Sequence, residues 1–269
     1  MVRALYYVAG LAMAALGAAA PSSVAPRADV PSIPHNEVKG FEEKALEVVL
    51  KFKPFLKVSS GCVPWPAVND KGEVRYAPSP SLLSNIWHYE SVTDTNFSLN
   101  SKGLKNTGSP SGECGSNKGQ VYTRAKVFPN SLAIMYAWYM PKDQPAHSAT
   151  GSGHRHEWEN AVVWLSDNSD NAKFLGVAWS KHGGYGHAKA DDLSDDKLSD
   201  GHPLIEYFTN GFTNHELKSS TIKGGTQPAI HWPDLPQKSR DALNKADFGD
   251  ANVPFKDDNF ENNLKKASL

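Results

Sequence analysis

Gly153-His154-Arg155-His156-Glu157-Trp158-Glu159 places two imidazoles, two carboxylates and a guanidinium within seven residues. Glu157 and Glu159 are two apart, so on an extended segment both project to one face. His154 lies on the approach to that segment and can fold over the same face. Asp143, in Pro141-Lys142-Asp143, follows the apolar run Ser131 to Met140, and a hairpin return would bring it beside His154. Three carboxylates and one imidazole form an oxygen-rich, negatively charged donor set. That suits a hard divalent cation, Mg²⁺ or Ca²⁺, better than a structural zinc. Two rival readings stay open on local sequence. Arg155 and a histidine would neutralise the glutamates in a surface ion-pair cluster. Alternatively, His154 and His156 would alternate onto the opposite face as a zinc pair for hydrolysis, with no third ligand or base identifiable. No GxSxG elbow, P-loop, dinucleotide fingerprint or HExxH occurs, so the expectation is a binding protein and not an enzyme.

These groups need a sheet to hold them. Thr150 to Gly153 is glycine-rich and reads as a loop; Trp158 to Leu165 is β-branched and aromatic and reads as a strand. Gln120 to Phe128, Ser131 to Met140, Ala172 to Ser180 and Leu204 to Thr209 read as further strands, with Ser131 to Met140 apolar on both faces. Short strands without intervening helices predict an antiparallel sheet or sandwich. Asn36 to Leu56 has helical spacing and predicts an amphipathic helix ending near Pro54, and Pro233 to Ala246 predicts a C-terminal one. The tail beyond Phe248 reads as loop, tied to the body by Val253, Phe255, Phe260 and Leu264. Asp191 to Asp200 carries five aspartates without EF-hand spacing and reads as a solvated turn.

The chain of 269 residues has a formal net charge of -1, which gives no global field for nucleic acid. Arg3, the uncharged apolar run Ala4 to Ala20 and the small residues Ala18 and Ala20 predict a secretory signal peptide over 1–20. A proline-punctuated leader over 21–35 and a single domain over 36–269 follow. In an exported chain, Cys62 and Cys114 most simply pair. The bond would close a loop of about 53 residues, worth about 3–4 kcal/mol in the chain-entropy model, and staple a loop-rich stretch over 57–119. Asn96-Phe97-Ser98 is a glycosylation sequon.

Ala133 to Asp143 followed by Gly153 to Glu159 resembles the paired signature of the necrosis- and ethylene-inducing-like proteins, cytolysins of plant-associated microbes. Ser180 to Tyr185, Thr213 to Leu217 and Asp247 to Phe255 resemble family blocks in the same order. Two cysteines resemble its single-disulfide subgroup. The resemblance implies a mainly β fold with flanking helices, an antiparallel β-sandwich similar to actinoporins and fungal lectins. It implies a Mg²⁺-class cation held by Asp143, His154, Glu157 and Glu159, with Arg155 and His156 bracing the carboxylates. It implies a glycolipid and membrane loop containing Phe212, Asn214 and His215. The implied partners are plant glycosylinositol phosphorylceramide sphingolipids, and plant immune receptors for the motif peptide. The implied outcome is damage to the plant plasma membrane; a non-cytolytic, lectin-like relative or elicitor and a metal-dependent hydrolase are the alternatives. Oligomeric state is left unspecified. Three departures stand out: Glu157 where the family usually has aspartate, ten residues between Asp143 and His154, and Gly211-Phe212 where cytolytic members often carry tryptophan.

Overall fold

A computed structural model describes residues 32–76, 103–148, 151–211 and 214–269. The expected signal peptide, the leader up to residue 31, the sequon at Asn96 and Phe212 lie outside the described residues. In chain order the elements are β1 (Ser32–Pro34), α1 (Glu47–Lys51), β2 (Phe55–Val58), β3 (Val74–Tyr76), β4 (Val121–Phe128), β5 (Ser131–Asp143) and β6 (His154–Leu165). Then come β7 (Phe174–Lys181), β8 (Gly184–Lys189), β9 (Leu198–Ser199), β10 (His202–Asn210), β11 (Asn214–Ser219), β12 (Ala229–His231), α2 (Gln237–Lys245) and α3 (Phe260–Lys266).

Strands β4 to β8 form an antiparallel meander, extended at the β4 edge by the parallel strand β12. A second sheet has the order β11-β10-β2, with β9 pairing the start of β10. β11 packs across β6 and β7, which makes the two sheets a sandwich. β5 is buried from Leu132 to Asp143, as its two-faced apolar run requires: Tyr136 on one face meets Val49 of α1, and Tyr139 on the other meets Phe248 of the tail. Its polar groups find partners: the Tyr136 hydroxyl donates to the Val49 carbonyl at 2.7 Å, and Trp138 Nε1 donates to Gln227 at 2.9 Å.

The expected helix over 36–56 is corrected to the single turn α1. The backbone before it bonds elsewhere: Phe41 N–H donates to Gln120 at 2.6 Å, and Lys44 N–H donates to the Ala229 carbonyl at 2.7 Å. Long-range partners thus compete with the helical ladder, although Val38, Val48, Val49 and Phe52 are buried as their spacing suggested. The expected disulfide joins Cys62 to Cys114.

The tail closes the meander. Phe255 is fully buried, stacked on Tyr122 with ring centroids 5.4 Å apart and edge-on to Trp158 and Trp232. Arg124 clamps it by donating to the Phe255 carbonyl at 2.8 Å while its guanidinium lies 4.6 Å from the Phe260 ring. Truncating Phe255 to alanine is expected to cost about 3–5 kcal/mol of stability in urea unfolding followed by tryptophan fluorescence. A loss within the error of the titration would show that the tail does not complete the core.

Candidate metal centre

The β5–β6 hairpin carries the site. Its pairing sets Asp143 opposite His154, Lys142 opposite Arg155 and Met140 opposite Glu157. Strict alternation would send His154 and Glu157, three residues apart, to opposite faces. His156 breaks the alternation by adopting φ +59°, a left-handed conformation that costs a non-glycine residue energy. What holds it there is packing. Its buried ring shares a hydrogen bond with the Tyr139 hydroxyl at 2.6 Å and meets Phe248 edge-on at 5.3 Å. Gly103 makes room, since a Cβ there would sit 2.6 Å from His156 Cε1. With the strand turned in this way, His154 Nε2 comes within 3.4 Å of Glu157 Oε2 and 3.6 Å of Asp143 Oδ2.

One donor atom from each of Asp143, His154 and Glu157 lies within 4.8 Å of the others. His154 Nδ1 is 2.8 Å from the His156 carbonyl oxygen. A carbonyl only accepts, so Nδ1 carries a proton and Nε2 is the ring nitrogen that faces the carboxylates. That is the orientation a metal ligand needs. The Trp158 N–H donates to Glu157 Oε1 at 2.7 Å, which leaves Oε2 for the hollow. Asp143 is gripped from behind by His215, whose N–H donates to Oδ2 at 3.2 Å and whose Nδ1 donates to Oδ1. His215 Nε2 in turn lies 3.1 Å from the Thr209 hydroxyl.

The electrostatics leave the hollow able to hold a cation. Asp143, Glu157, Glu159 and Glu216 are all buried. Burial, then the charges of Glu159 and Asp143, push the Glu157 carboxyl well above the ordinary glutamate value. Burial also raises Glu159, against the hydrogen bond it accepts from the Ser180 hydroxyl, and Asp143 and Glu216 raise it further. Glu216 has its own partners, in charge contacts and not aligned hydrogen bonds: His182 Nε2 at 2.8 Å and Lys181 Nζ at 3.7 Å. Around Asp143, Glu157 and Glu159 the described side chains leave negative charge in excess. The oxygen-rich donor set with one imidazole fits Mg²⁺ or Ca²⁺. The hollow opens into a cavity of about 550 Å³ that runs past Tyr185 and Asn214 to Asn263 and Lys266 on α3.

The expected site residues are therefore only partly gathered. Asp143, His154 and Glu157 converge, and Glu159 stands beside them in the cavity wall, engaged by Ser180. Of Arg155 and His156, expected to brace the carboxylates, Arg155 donates to the Gly103 carbonyl at 3.0 Å, and His156 shares a hydrogen bond with Tyr139 at the strand turn. The zinc-pair reading does not hold, since the two imidazoles occupy different environments. His215, expected on a glycolipid loop, is instead 1% exposed within β11, behind Asp143. Asn214 does line the cavity, its Nδ2 lying 3.1 Å from His182 Nδ1. Sequence reasoning gave no cradle role to His215 or Tyr207; the available signal was that His215 pairs across a hairpin with Thr209, two residues from Tyr207.

With this geometry in hand, comparisons place the chain among known proteins. Residues 47–80 and 87–267 match the family described as necrosis inducing protein (NPP1). NLP effector protein 3 of Phytophthora capsici is 38% identical over 245 residues, 88% of this chain and 90% of the relative. A solved structure of NLPPya in complex with mannosamine is similar with TM-score 0.72 and 35% identity, covering 88% of this chain and 99% of that one. The crystal structure of the non-toxic HaNLP3 protein is similar with TM-score 0.71 and 33% identity, covering 87% and 98%.

The raised glutamates fix a pH dependence. Above the ordinary value of 4.5, the folded protein without a cation holds more protons than the unfolded chain, so its stability falls as pH rises through and beyond that value. A divalent cation requires the deprotonated carboxylates. The gain in melting temperature on adding Mg²⁺ is therefore expected to grow from about pH 5 to about pH 8. A gain that shrinks over that range in differential scanning fluorimetry would contradict the assignment.

Proposed function

Because this chain belongs to the necrosis-inducing protein (NPP1) family, we propose that it is a secreted effector that holds Mg²⁺ in its carboxylate cradle and binds the sugar head group of a plant membrane sphingolipid. The lipid class is glycosylinositol phosphorylceramide, and the outcome is damage to the plasma membrane and necrosis. The observation that carries this reading is the convergence of buried, mutually repelling carboxylates with an imidazole whose Nε2 faces them at the end of an open cavity. Support comes from the relative named as an effector and from the similar structure that binds mannosamine.

The roles divide among the residues. Asp143, His154 and Glu157 hold the ion, with Glu159 taking part from the cavity wall, either directly or through water. When bound, the ion supplies directed coordination of vicinal sugar hydroxyls. Asn160, Tyr185 and Asn214 offer amide and hydroxyl groups along the cavity for the remaining hydroxyls. Glu157 is one methylene longer than the usual family aspartate, so its carboxylate reaches about 1.5 Å further into the hollow. Nothing in the site requires a covalent step, and binding alone accounts for its groups.

A second reading, a non-cytolytic lectin-like binder or elicitor, is favoured by the similarity to non-toxic HaNLP3. The sandwich is common to that protein and to this one, so the fold does not by itself carry toxicity. Leakage of vesicles containing plant sphingolipid separates the two readings.

Glu157→Gln keeps the shape of the side chain and removes its charge. It is expected to weaken Mg²⁺ binding by more than about tenfold and to abolish necrosis on infiltration into dicot leaves. A variant that kills tissue at the wild-type dose would sink the cradle mechanism.

A further inference from the structure

Tyr207 stands directly behind the cradle. It is fully buried in β10, and its ring stacks on His215 with centroids 4.6 Å apart and planes 14° from parallel. The same imidazole holds Asp143 Oδ1 through Nδ1, while the backbone N–H of His215 donates to Oδ2. Gly61, at φ +80°, closes over the pair: a Cβ there would lie 2.7 Å from His215 Nε2 and 3.3 Å from Tyr207 Cε1. The chain next to Cys62 therefore fixes the stack, and the ring has no room to swing away.

Its hydroxyl is the anomaly. Tyr207 Oη is buried and has no hydrogen-bond partner among the described residues. A buried hydroxyl left unsatisfied costs roughly 1–3 kcal/mol, and phenylalanine would give the same stack without that cost. Burial, and then the charges of Asp143, Glu157 and Glu159, hold the phenol protonated, so it is a donor within reach of their negative field. A donor beside excess negative charge, without a partner, fits a site that is complete only when loaded.

We propose that Tyr207 is a positioning residue of the loaded cradle, its hydroxyl donating to a water molecule in the hydration shell of the bound divalent cation. The inference rests on the cation reading of the cradle. A hard cation keeps part of its water shell, and that shell supplies the oxygen that the protein itself does not. The hydrogen bond would orient the bound water, and the stack would hold His215, and through it Asp143, in place. Loading the site then satisfies a buried donor as well as buried acceptors, which couples cation binding to the packing of β10 on β11.

The test uses the full chain and Tyr207→Phe, with Mg²⁺ as the probe, read by titration calorimetry and by melting temperature in chelator. Loss of the hydroxyl is expected to weaken Mg²⁺ binding about tenfold or more, in the range of other outer contacts to metal sites. In chelator, the variant is expected to melt at or above the wild-type temperature, because an unsatisfied donor has been removed. Equal Mg²⁺ affinity in the two proteins would overturn the proposal and leave the cradle intact. A lower melting temperature in chelator would also overturn it, by showing that the hydroxyl already has a partner in the metal-free protein. Wild-type protein that binds no Mg²⁺ would overturn both the cradle and the role of Tyr207.

Discussion

Charge repulsion between buried carboxylates is the constraint around which this molecule is arranged. Asp143, Glu157 and Glu159 are withdrawn from water at one end of the sandwich, and Glu216 is buried nearby. In a low-dielectric setting such groups either protonate or acquire a counter-charge. The protein supplies part of the answer itself: Ser180 on Glu159, His215 on Asp143, His182 and Lys181 against Glu216. What remains is an acidic hollow with one imidazole whose Nε2 points in. A hydrophobic isostere at each position would be cheaper for folding, and the proposed binding role gives these carboxylates a reason to be there.

The scaffold spends its structure on keeping that hollow in shape. The β5–β6 pairing fixes Asp143 against His154, and the strained turn at His156 swings His154 onto the face of Glu157. A strap over residues 103–114 braces the open end of this hairpin. Asn106 donates to the Gly153 carbonyl at 2.8 Å, and Lys142 reaches the Ser109 carbonyl at 2.8 Å. The Cys62–Cys114 bond ties that strap to Gly61, which in turn seats His215 and Tyr207. The disulfide therefore lies between the two sides of the site, and its contribution is positional as well as entropic.

Much of this was legible from residue pattern. The apolar runs from Val121 to Leu165 mark the central meander, and hairpin logic places Asp143 beside His154. What the pattern hid has physical reasons. Alternation assumes extended backbone, so it cannot register the left-handed His156 that redirects the strand. β11 reads Asn-His-Glu-Leu-Lys-Ser, and two of its three buried groups, His215 and Glu216, are polar, so a search for apolar alternation passes over it. The helical spacing over 36–56 tracked burial correctly and conformation wrongly, because the backbone there pairs with residues almost two hundred positions away. β8 is glycine-rich, and the α3 segment is short and mostly polar; both take their form from the neighbours they pack on.

The central claim is that the cation and the sugar occupy one site and depend on each other. The direct test is calorimetric titration of glucosamine into the protein, with Mg²⁺ present, after removal by chelator, and after Mg²⁺ is restored. Binding is expected with Mg²⁺, its loss in chelator, and its return on re-addition. Equal affinity for the sugar in all three conditions would contradict the account.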